Sequence, residues 1–203
     1  MQFRPTAPLY FIRHGETDWN IERRFQGQSD IALNENGKEQ ARTNGKILAR
    51  LLNFNAGAAQ SFDFISSPLS RASQTTQILI KELEMPEAEY KTDIALQEIS
   101  FGLWEGLTSA EAKQQYYEAR QKRRKDRWAI APPGGESFAE RVLGVEQFLA
   151  SLTTPSIVVS HSGIMRIILH LLQRLAPQEA VNSDIPHIGI HIWDGNSLIF
   201  AGK

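Results

Sequence analysis

Short apolar runs alternate with amphipathic segments along this chain. The runs Leu9–Ile12, Phe62–Ser66 and Ile157–Ser160 have the length and the composition of buried strands. Apolar residues recur on one helical face of the segments Glu35–Leu52 and Ser70–Leu83, as expected for helices that cover a sheet. This alternation of strands and helices predicts an α/β fold.

A third helix and a C-terminal hairpin extend this prediction. The segment Ser137–Leu152 opens with a capping-box pattern, in which Glu140 and the first serine satisfy free amide groups of a helix N-terminus. Two further apolar runs, Ile188–Trp193 and Ser197–Ala201, flank an Asp-Gly-Asn turn, which indicates an antiparallel hairpin. We therefore predict a three-layer α/β/α sandwich with a mixed, mostly parallel sheet.

Composition narrows the class of protein. The chain has 203 residues and 41% hydrophobic residues, which is sufficient for one domain over residues 1–203. Its 22 Lys and Arg residues nearly balance its 23 Asp and Glu residues, so bulk charge does not favour nucleic acid or an anionic membrane as a partner. The absence of Cys excludes disulfides and thiolate nucleophiles, and the early apolar run Leu9–Ile12 is too short for a signal peptide or a membrane span. We expect a cytoplasmic protein without nucleic-acid or membrane partners.

Reactive residue types follow three of the predicted strands directly. They lie in the segments Arg13-His14-Gly15, Ser66-Ser67-Pro68 and His161-Ser162-Gly163, and Arg71 comes shortly after the second. Ligands of open α/β sheets bind at the carboxyl ends of the strands, where helix N-termini offer free amides to anions. Two histidines and two arginines at this edge predict an anion-binding site.

These residue types suit phosphoryl transfer. A neutral imidazole such as that of His14 can attack phosphorus without a metal, because an unperturbed histidine titrates near a pKa of roughly 6.5. The guanidinium groups of Arg13 and Arg71 can grip phosphate oxygens with two hydrogen bonds each. His161 can donate to a further oxygen, and Gly15 would allow the backbone to approach the phosphate. The sequence therefore predicts a phosphohistidine mechanism.

The reaction also needs an acid to protonate the leaving group. Repulsion from a phosphate favours the protonated form of a neighbouring carboxyl group. Glu98 is the candidate, because it follows a short apolar stretch and precedes a glycine- and aromatic-rich turn. Glu16 and Glu105 are competitors that periodicity does not exclude.

Six segments together resemble the histidine phosphatase superfamily, in the branch that contains cofactor-dependent phosphoglycerate mutases and fructose-2,6-bisphosphatase. The resemblance runs from about Leu9 to Arg166. In family order, the matching segments are Phe11–Asn20, Phe25–Asp30, Ser67–Thr75, Glu98–Gly106, Pro133–Ser137 and Val159–Arg166. Each short motif alone is weak evidence, but their shared order over one domain is specific.

The resemblance implies roles for individual residues. It assigns His14 as the nucleophile, Glu98 as the general acid, and Arg13, Arg71 and His161 as the phosphate pocket, without a metal or another cofactor. Four further positions match residues that line the family's binding site: Asn20, Gln26, Gly27 and Ser162. The last motif of the family more often reads Gly-His-Gly, whereas serines stand on both sides of the histidine here. This difference changes the local backbone and the pocket width.

The remaining histidines and the basic run 120–127 have simpler interpretations. His170, His187 and His191 lie in or beside predicted elements, where packing or exposure is more common than catalysis. A basic helix is usually a solvated surface. The alternative is that the segment 109–137 forms a lid that steers an anionic substrate.

The sequence favours a phosphomonoester hydrolase that acts on a small phosphorylated metabolite. A phosphoglycerate mutase-type phosphotransferase is the first alternative, although such mutases carry an insertion and a Glu-Arg-His-Tyr-Gly segment where this chain has Glu98-Ile99-Ser100-Phe101-Gly102. A non-catalytic phospho-ligand-binding domain is the second alternative. A metal-dependent hydrolase would need carboxylate ligands beside His14 and His161, and no suitable spacing is evident. The sequence does not define the oligomeric state.

Overall fold

The computed structural model describes residues 5–52, 62–85 and 88–202. Its described strands form one sheet. In chain order they are β1 (Leu9–Arg13), β2 (Asp63–Ser66), β3 (Tyr90–Thr92), β4 (Ser156–Ser160), β5 (Ile190–Trp193) and β6 (Leu198–Ala201).

Helices fill most of the connections between these strands. They are α1 (Asp18–Ile21), α2 (Glu35–Leu51), α3 (Ser70–Glu82), α4 (Ser109–Gln115), α5 (Tyr117–Lys125), α6 (Phe138–Ser151), α7 (Ser162–Gln173) and α8 (Pro177–Asn182). Two short 3-10 helices, Ile94–Leu96 and Gly102–Trp104, lie between β3 and α4. Within the described ranges, none of the helices has both the length and the apolar character that a membrane crossing requires.

The sheet has the strand order β3-β2-β4-β1-β5-β6. Strands β1 to β4 run parallel to one another, and β5 pairs with β1 and β6 in antiparallel register. In this register Leu9 of β1 lies between Ser156 of β4 and Trp193 of β5. The prediction of a mixed, mostly parallel sheet is confirmed.

Apolar residues cover both faces of the sheet. On β4, Ile157 and Val159 belong to a core shared with α2 and α3, whereas Val158 belongs to a core shared with α6 and α7. Alternate residues of a strand point to opposite faces, so each strand contributes to both cores. The helices thus form one layer on each side of the sheet, as predicted.

The predicted elements agree with the structure to within one or two residues at their ends. One strand differs from expectation. The edge strand β3 was not predicted, because its three residues Tyr90, Lys91 and Thr92 are largely exposed and carry no apolar alternation. Most of the basic run lies in the helix α5, which is separated from α4 by a break at Tyr116. A single domain over residues 1–203 stays a prediction, since 1–4, 53–61, 86–87 and 203 lie outside the described part.

Candidate active site

The carboxyl ends of β1, β2 and β4 lie side by side, because these three parallel strands are neighbours in the sheet. His14 follows β1, Ser67 follows β2 and His161 follows β4. Arg71 is the second residue of α3, and α7 begins directly after His161. The topology thus brings the predicted reactive residues to one edge, next to two helix N-termini that favour anions.

Hydrogen bonds fix the ring of His14. Its Nδ1 lies 2.6 Å from the carbonyl oxygen of Gly15, so Nδ1 carries the proton and donates it. Its backbone nitrogen donates to the carbonyl oxygen of Ser160 at 3.0 Å. In this tautomer the lone pair is on Nε2, the nitrogen that a phosphoryl acceptor requires.

The surroundings keep His14 neutral. Only 4% of this residue is exposed. Burial, followed by the nearby His161, Arg71 and Arg13, holds the pKa of His14 well below its usual value. A neutral imidazole is the nucleophilic form, so the site maintains His14 in the state that can attack.

Arg71 and His161 form a buried pair. Arg71 Nε donates to Nδ1 of His161 at 3.3 Å, and its two other nitrogens donate to the carbonyl oxygens of Gly27 and Ser29, each at 2.8 Å. Because His161 Nδ1 accepts, its Nε2 carries the proton and donates to Ser67 Oγ at 2.7 Å. Burial is the main cause that lowers the pKa of both groups, and His161 is neutral. The rings of His14 and His161 are 5.0 Å apart between centroids.

Arg13 holds the other side of the pocket. Its Nη1 donates to the carbonyl oxygen of Ile185 at 2.6 Å, and its buried Nε has no partner among the described residues. Burial lowers the pKa of Arg13 to about 10, and the carboxylate of Glu98 opposes this shift. Arg13 is therefore charged at neutral pH and has a free donor for an anion.

Glu98 lies under the start of α7. Its two carboxylate oxygens accept hydrogen bonds from the backbone nitrogens of Ile99 and Gly163, each at 3.0 Å. The residue is 7% exposed. A Cβ at position 163 would overlap Glu98 Oε1, so the glycine leaves the space that the carboxylate occupies. Glu98 also acts electrostatically on Arg13 and Arg71, which places it beside the phosphate pocket.

The two competing carboxylates have other contacts. Glu105 accepts hydrogen bonds from the backbone nitrogens of Gln28, Ser29 and Phe101 and from the hydroxyls of Ser29 and Ser100. Burial raises its pKa, but these donors together hold the pKa below the usual value. Glu16 accepts from two asparagine side chains on the α2 side. Glu105 is thus engaged as a structural anion, whereas Glu98 acts electrostatically on both Arg13 and Arg71.

The predicted binding residues lie around the pocket in different ways. Gln26 is buried and its Oε1 has no partner in the described part of the chain. Gly27 has a φ of +52° and presents its carbonyl oxygen to Arg71. Ser162 is the first residue of α7, whereas Asn20 accepts from Thr17 in a capping box. Direct contact with a substrate stays a prediction for all four residues.

Gly15 has a packing role that the sequence did not indicate. A Cβ at this position would overlap the backbone of Gly37 in α2. Its nitrogen donates to Thr75 Oγ1 at 3.1 Å. The glycine is required because α2 packs directly on the loop after β1, and the approach of a phosphate to its backbone stays a prediction.

Ser160, the serine before His161, forms a buried hydrogen bond. Ser160 is fully buried, and its hydroxyl donates to the carbonyl oxygen of Leu96 at 2.7 Å. This bond ties the end of β4 to the segment that carries Glu98. The serine in place of the family's more common glycine therefore adds a link between two parts of the site.

His187 is part of the site, although the sequence indicated only packing or exposure. Its Nδ1 donates to the carbonyl oxygen of His14 at 2.7 Å, and the two rings are 5.7 Å apart between centroids. Strand β5 pairs with β1, so the residues just before β5 come next to those just after β1. The sequence predicted the C-terminal hairpin but not its pairing with β1, which is the signal that would have located His187.

A basic cleft of about 570 Å³ is lined in part by Asn20, one of the predicted binding residues. Its lining contains seven cationic side chains, four aromatic side chains and no carboxylate. The cations are Arg23, Arg24, Lys113, Arg120, Arg123, Arg124 and Arg127, and the aromatic residues are Trp19, Phe25, Phe101 and Trp104.

Aromatic rings, and not carboxylates, hold two of these arginines in place. Arg120 lies over the rings of Phe25 and Trp104, and Arg123 lies over Phe101. Burial and the neighbouring Arg127 and Arg120 lower the pKa of Arg123 to about 10. Such crowding of like charge is unfavourable without a counterion, so the basic cleft can accept an anionic group.

Metal ligation has no obvious place in this arrangement. In residues 5–52, 62–85 and 88–202, no cluster of three or more His, Cys, Asp or Glu side chains has the spacing of a metal site. The Nδ1 atoms of His14 and His161 are engaged by a carbonyl oxygen and a guanidinium nitrogen.

Comparisons with known proteins agree with this geometry. A 2,3-bisphosphoglycerate-dependent phosphoglycerate mutase of Bartonella bacilliformis is 29% identical, with 96% of each chain covered. A mutase of the same name from Rhizobium rhizogenes is 30% identical, with 86% of this chain and 83% of the relative covered.

Solved structures share the fold. A mycobacterial glucosyl-3-phosphoglycerate phosphatase, solved with VO3, has a TM-score of 0.76 at 28% identity, with 97% of each chain covered. The alpha-ribazole phosphatase from Shigella flexneri has a TM-score of 0.81 at 22% identity, with 97% of this chain and 95% of that chain covered, a similarity of fold. The family model of the histidine phosphatase superfamily (branch 1) matches residues 9–196. The chain therefore belongs to the histidine phosphatase superfamily.

Proposed function

We propose that this protein hydrolyses phosphomonoesters of small metabolites in two steps through a phosphohistidine. In the first step, His14 Nε2 forms a bond to phosphorus as the bond from phosphorus to the leaving oxygen breaks, and Glu98 gives its proton to that oxygen. In the second step, the Glu98 carboxylate takes a proton from water, whose oxygen attacks phosphorus and returns the electron pair to Nε2.

One observation carries this proposal. The Nδ1–H of His14 donates to Gly15 at 2.6 Å, which leaves Nε2 unprotonated inside a pocket of guanidinium groups. Once phosphorylated, the imidazole gains positive charge, and the Gly15 carbonyl oxygen continues to accept its proton. Arg13 and Arg71 offset the charge of the transferred group, as phosphoryl transfer requires.

Hydrolysis is favoured over a mutase reaction. The curated relatives quoted above are named as mutases, and the solved phosphatase at 28% identity covers 97% of this chain. The segment after Glu98 lacks the Arg-His-Tyr sequence that the mutases carry. A mutase is the second candidate, because it would use the same His14 and phosphate pocket.

Hydrolysis of p-nitrophenyl phosphate with excess chelator tests the proposal. We expect turnover that persists with chelator and is lost in His14→Ala, and a 31P signal of phosphohistidine in rapidly quenched samples. His170→Leu is the matched control, since His170 lies in α7 and its ring contacts Trp128. Loss of activity on chelation would point to a metal enzyme. Interconversion of phosphoglycerates without release of phosphate would identify a mutase, and an unreactive protein that binds phosphate would indicate a binding domain.

We propose further that residues 109–137 form a lid whose basic cleft binds a second anionic group of the substrate. Support comes from the like charges of Arg127 and Arg120 around Arg123, in a cleft whose lining contains no carboxylate. Arg120 is held over two aromatic rings and by Ser109 Oγ, so little side-chain freedom is lost on binding.

A matched pair of substrates tests the lid. We expect fructose 1,6-bisphosphate to have a higher kcat/KM than fructose 6-phosphate. Arg120→Gln should reduce their ratio by roughly 10- to 150-fold, because a hydrogen bond to a charged group contributes ~1.5–3 kcal/mol. Arg42→Gln, on the exposed face of α2, is the control. An unchanged ratio in Arg120→Gln would refute the role of the basic cleft.

A cytoplasmic location stays a prediction from the sequence.

A further inference from the structure

We propose that His187 is a positioning residue that, together with Thr75, fixes the peptide unit between His14 and Gly15 and thereby sets the attack geometry of the nucleophile. This inference rests on the proposed phosphohistidine reaction. It concerns a residue that the family motifs in the sequence did not identify.

Both polar groups of this peptide unit are held by side chains. The carbonyl oxygen of His14 accepts from His187 Nδ1 at 2.7 Å. The amide nitrogen of Gly15 donates to Thr75 Oγ1 at 3.1 Å. The first contact comes from the segment before β5, and the second comes from α3. The carbonyl and N–H groups of a trans peptide point in opposite directions, so the peptide unit is held from both sides. Rotation of the plane would break both bonds.

The orientation of this peptide controls the ring of His14. His14 Nδ1 donates to the carbonyl oxygen of Gly15 at 2.6 Å. This carbonyl belongs to the next peptide unit, which is joined to the His14–Gly15 unit at the Cα of Gly15. Rotation of the His14–Gly15 unit would therefore displace the acceptor. The backbone nitrogen of His14 is already fixed to Ser160. His187 and Thr75 therefore complete the set of contacts that hold the ring's tautomer and direction.

His187 is itself anchored from a third element. Asn44 in α2 is fully buried, and its amide nitrogen donates to the carbonyl oxygen of His187 at 2.8 Å. Its amide oxygen accepts from the backbone nitrogen of Gly189, also at 2.8 Å. The Asn44 side chain thus forms hydrogen bonds to the backbone at two points of the turn before β5. This rigid support is what a residue needs in order to position another group.

The state of His187 suits this role. Burial, with Arg13 as the next cause, lowers the pKa of His187 to about 4, so the ring is neutral at physiological pH. A neutral ring with its proton on Nδ1 donates one hydrogen bond to the His14 carbonyl and adds no positive charge beside the nucleophile. The edge-on ring contact also limits the movement of the His14 ring.

A pair of variants with equal shape separates the hydrogen bond from packing. Asn and Leu have the same number and branching of side-chain heavy atoms, but only the Asn amide can replace Nδ1–H as a donor. We expect His187→Leu to lower kcat for p-nitrophenyl phosphate by roughly 10- to 100-fold with little change in KM, since a small misplacement of reacting groups has effects of this size. His187→Asn should recover kcat to within about threefold of the wild type, because a preserved hydrogen bond preserves the placement.

The control is another histidine with the same kind of bond. His170 Nδ1 donates to the carbonyl oxygen of Leu175 at 2.7 Å, far from the reacting groups. His170→Leu should lose thermal stability without the selective fall in kcat. Thr75→Val releases the other side of the same peptide and should reproduce the fall in kcat, which keeps the test valid if His187→Leu does not fold.

Single-turnover measurement of phosphohistidine formation distinguishes the possible results. Slow formation in His187→Leu and Thr75→Val, with recovery in His187→Asn, supports the inference. Normal formation in both, or an equal loss in the Asn and Leu variants, overturns it. Absence of phosphohistidine in the wild-type protein would instead refute the proposed function, so the two failures are separate.

Discussion

Replacement of Glu105 by glutamine changes one oxygen of the most heavily hydrogen-bonded carboxylate near the site. Oε1 accepts from the backbone nitrogens of Gln28 and Phe101 and from the hydroxyl of Ser100. Oε2 accepts from the backbone nitrogen and the hydroxyl of Ser29. These bonds join the loop that carries Gly27 to the segment after Glu98, so the perturbation affects both stability and the support of Arg71.

The magnitude follows from the donors that lose an acceptor. An amide group must place its NH2 at one of the two oxygen positions. The position of Oε2 is the less costly one, because the Ser29 hydroxyl can rotate and only the Ser29 backbone N–H then faces a donor. One unsatisfied backbone donor costs about 1–3 kcal/mol, and the loss of charge on the remaining bonds adds to this. We expect Glu105→Gln to lower the free energy of unfolding by about 2–3 kcal/mol.

Thermal and chemical unfolding measure this effect. For a domain of this length the expected loss corresponds to a decrease in Tm of about 4–10 °C. Glu89→Gln is the matched control, because Glu89 is exposed before β3 and makes no hydrogen bond in the described part of the chain. Glu105→Gln should also have a lower kcat/KM for p-nitrophenyl phosphate than the wild type, since the carbonyl oxygens of Gly27 and Ser29 hold Arg71.

The dependence on pH gives the sharpest check. The folded-state pKa of Glu105 is lowered, so its contribution to stability is present above the unfolded pKa of about 4.3 and is lost as the pH falls through the folded value. The stability difference between wild type and Glu105→Gln should be constant from pH 7 to about 5.5 and decrease below about pH 4. A difference that is below about 0.5 kcal/mol at pH 7, or that grows in acid, would refute the reasoning.

Three further predictions concern the site. Gly163→Ala should reduce kcat at least tenfold, with phosphohistidine formation slowed, because its methyl group would displace the Glu98 carboxylate; single-turnover kinetics check this, and normal kinetics would contradict it. Gly15→Ala should lower Tm by several degrees because of overlap with Gly37, and a Tm equal to that of the wild type would show that α2 can shift. The acid limb of kcat/KM should lie below pH 6.5, because the lowered pKa keeps His14 neutral there; a limb at or above 6.5 in a pH profile would argue against this.

Much of the fold could be predicted because buried apolar residues recur along the sequence with the period of a helix or a strand. Strand β4 is buried along its whole length and reads as one apolar run, and α3 shows a single apolar face. Strand β3 lacks such a signal because it lies at the sheet edge with exposed side chains. Pairing between β1 and β5 leaves no local trace either, because the partners are far apart in the sequence.

The residues of the candidate site also divide into those with a local signal in the sequence and those whose position depends on tertiary contacts. His14, His161 and Arg71 were predicted because each immediately follows a strand or begins a helix at the same sheet edge. His187 was not, since its position depends on the pairing of β5 with β1 and on Asn44 in α2. The reason for Gly15 was also hidden, because the contact with Gly37 arises from tertiary packing.

The position of β1 between β4 and β5 has a consequence for the order in which the molecule is made. The contact of His14 with His187 spans 173 residues, and that of Arg13 with Ile185 spans 172. A chain growing on the ribosome therefore carries β1 with both edges unpaired until β4 and β5 emerge, which exposes an apolar strand to wrong pairing. Such long-range closure slows folding. The hydrogen bond from His187 to His14 forms only after the segment before β5 has emerged, so a shorter nascent chain holds His14 without this support.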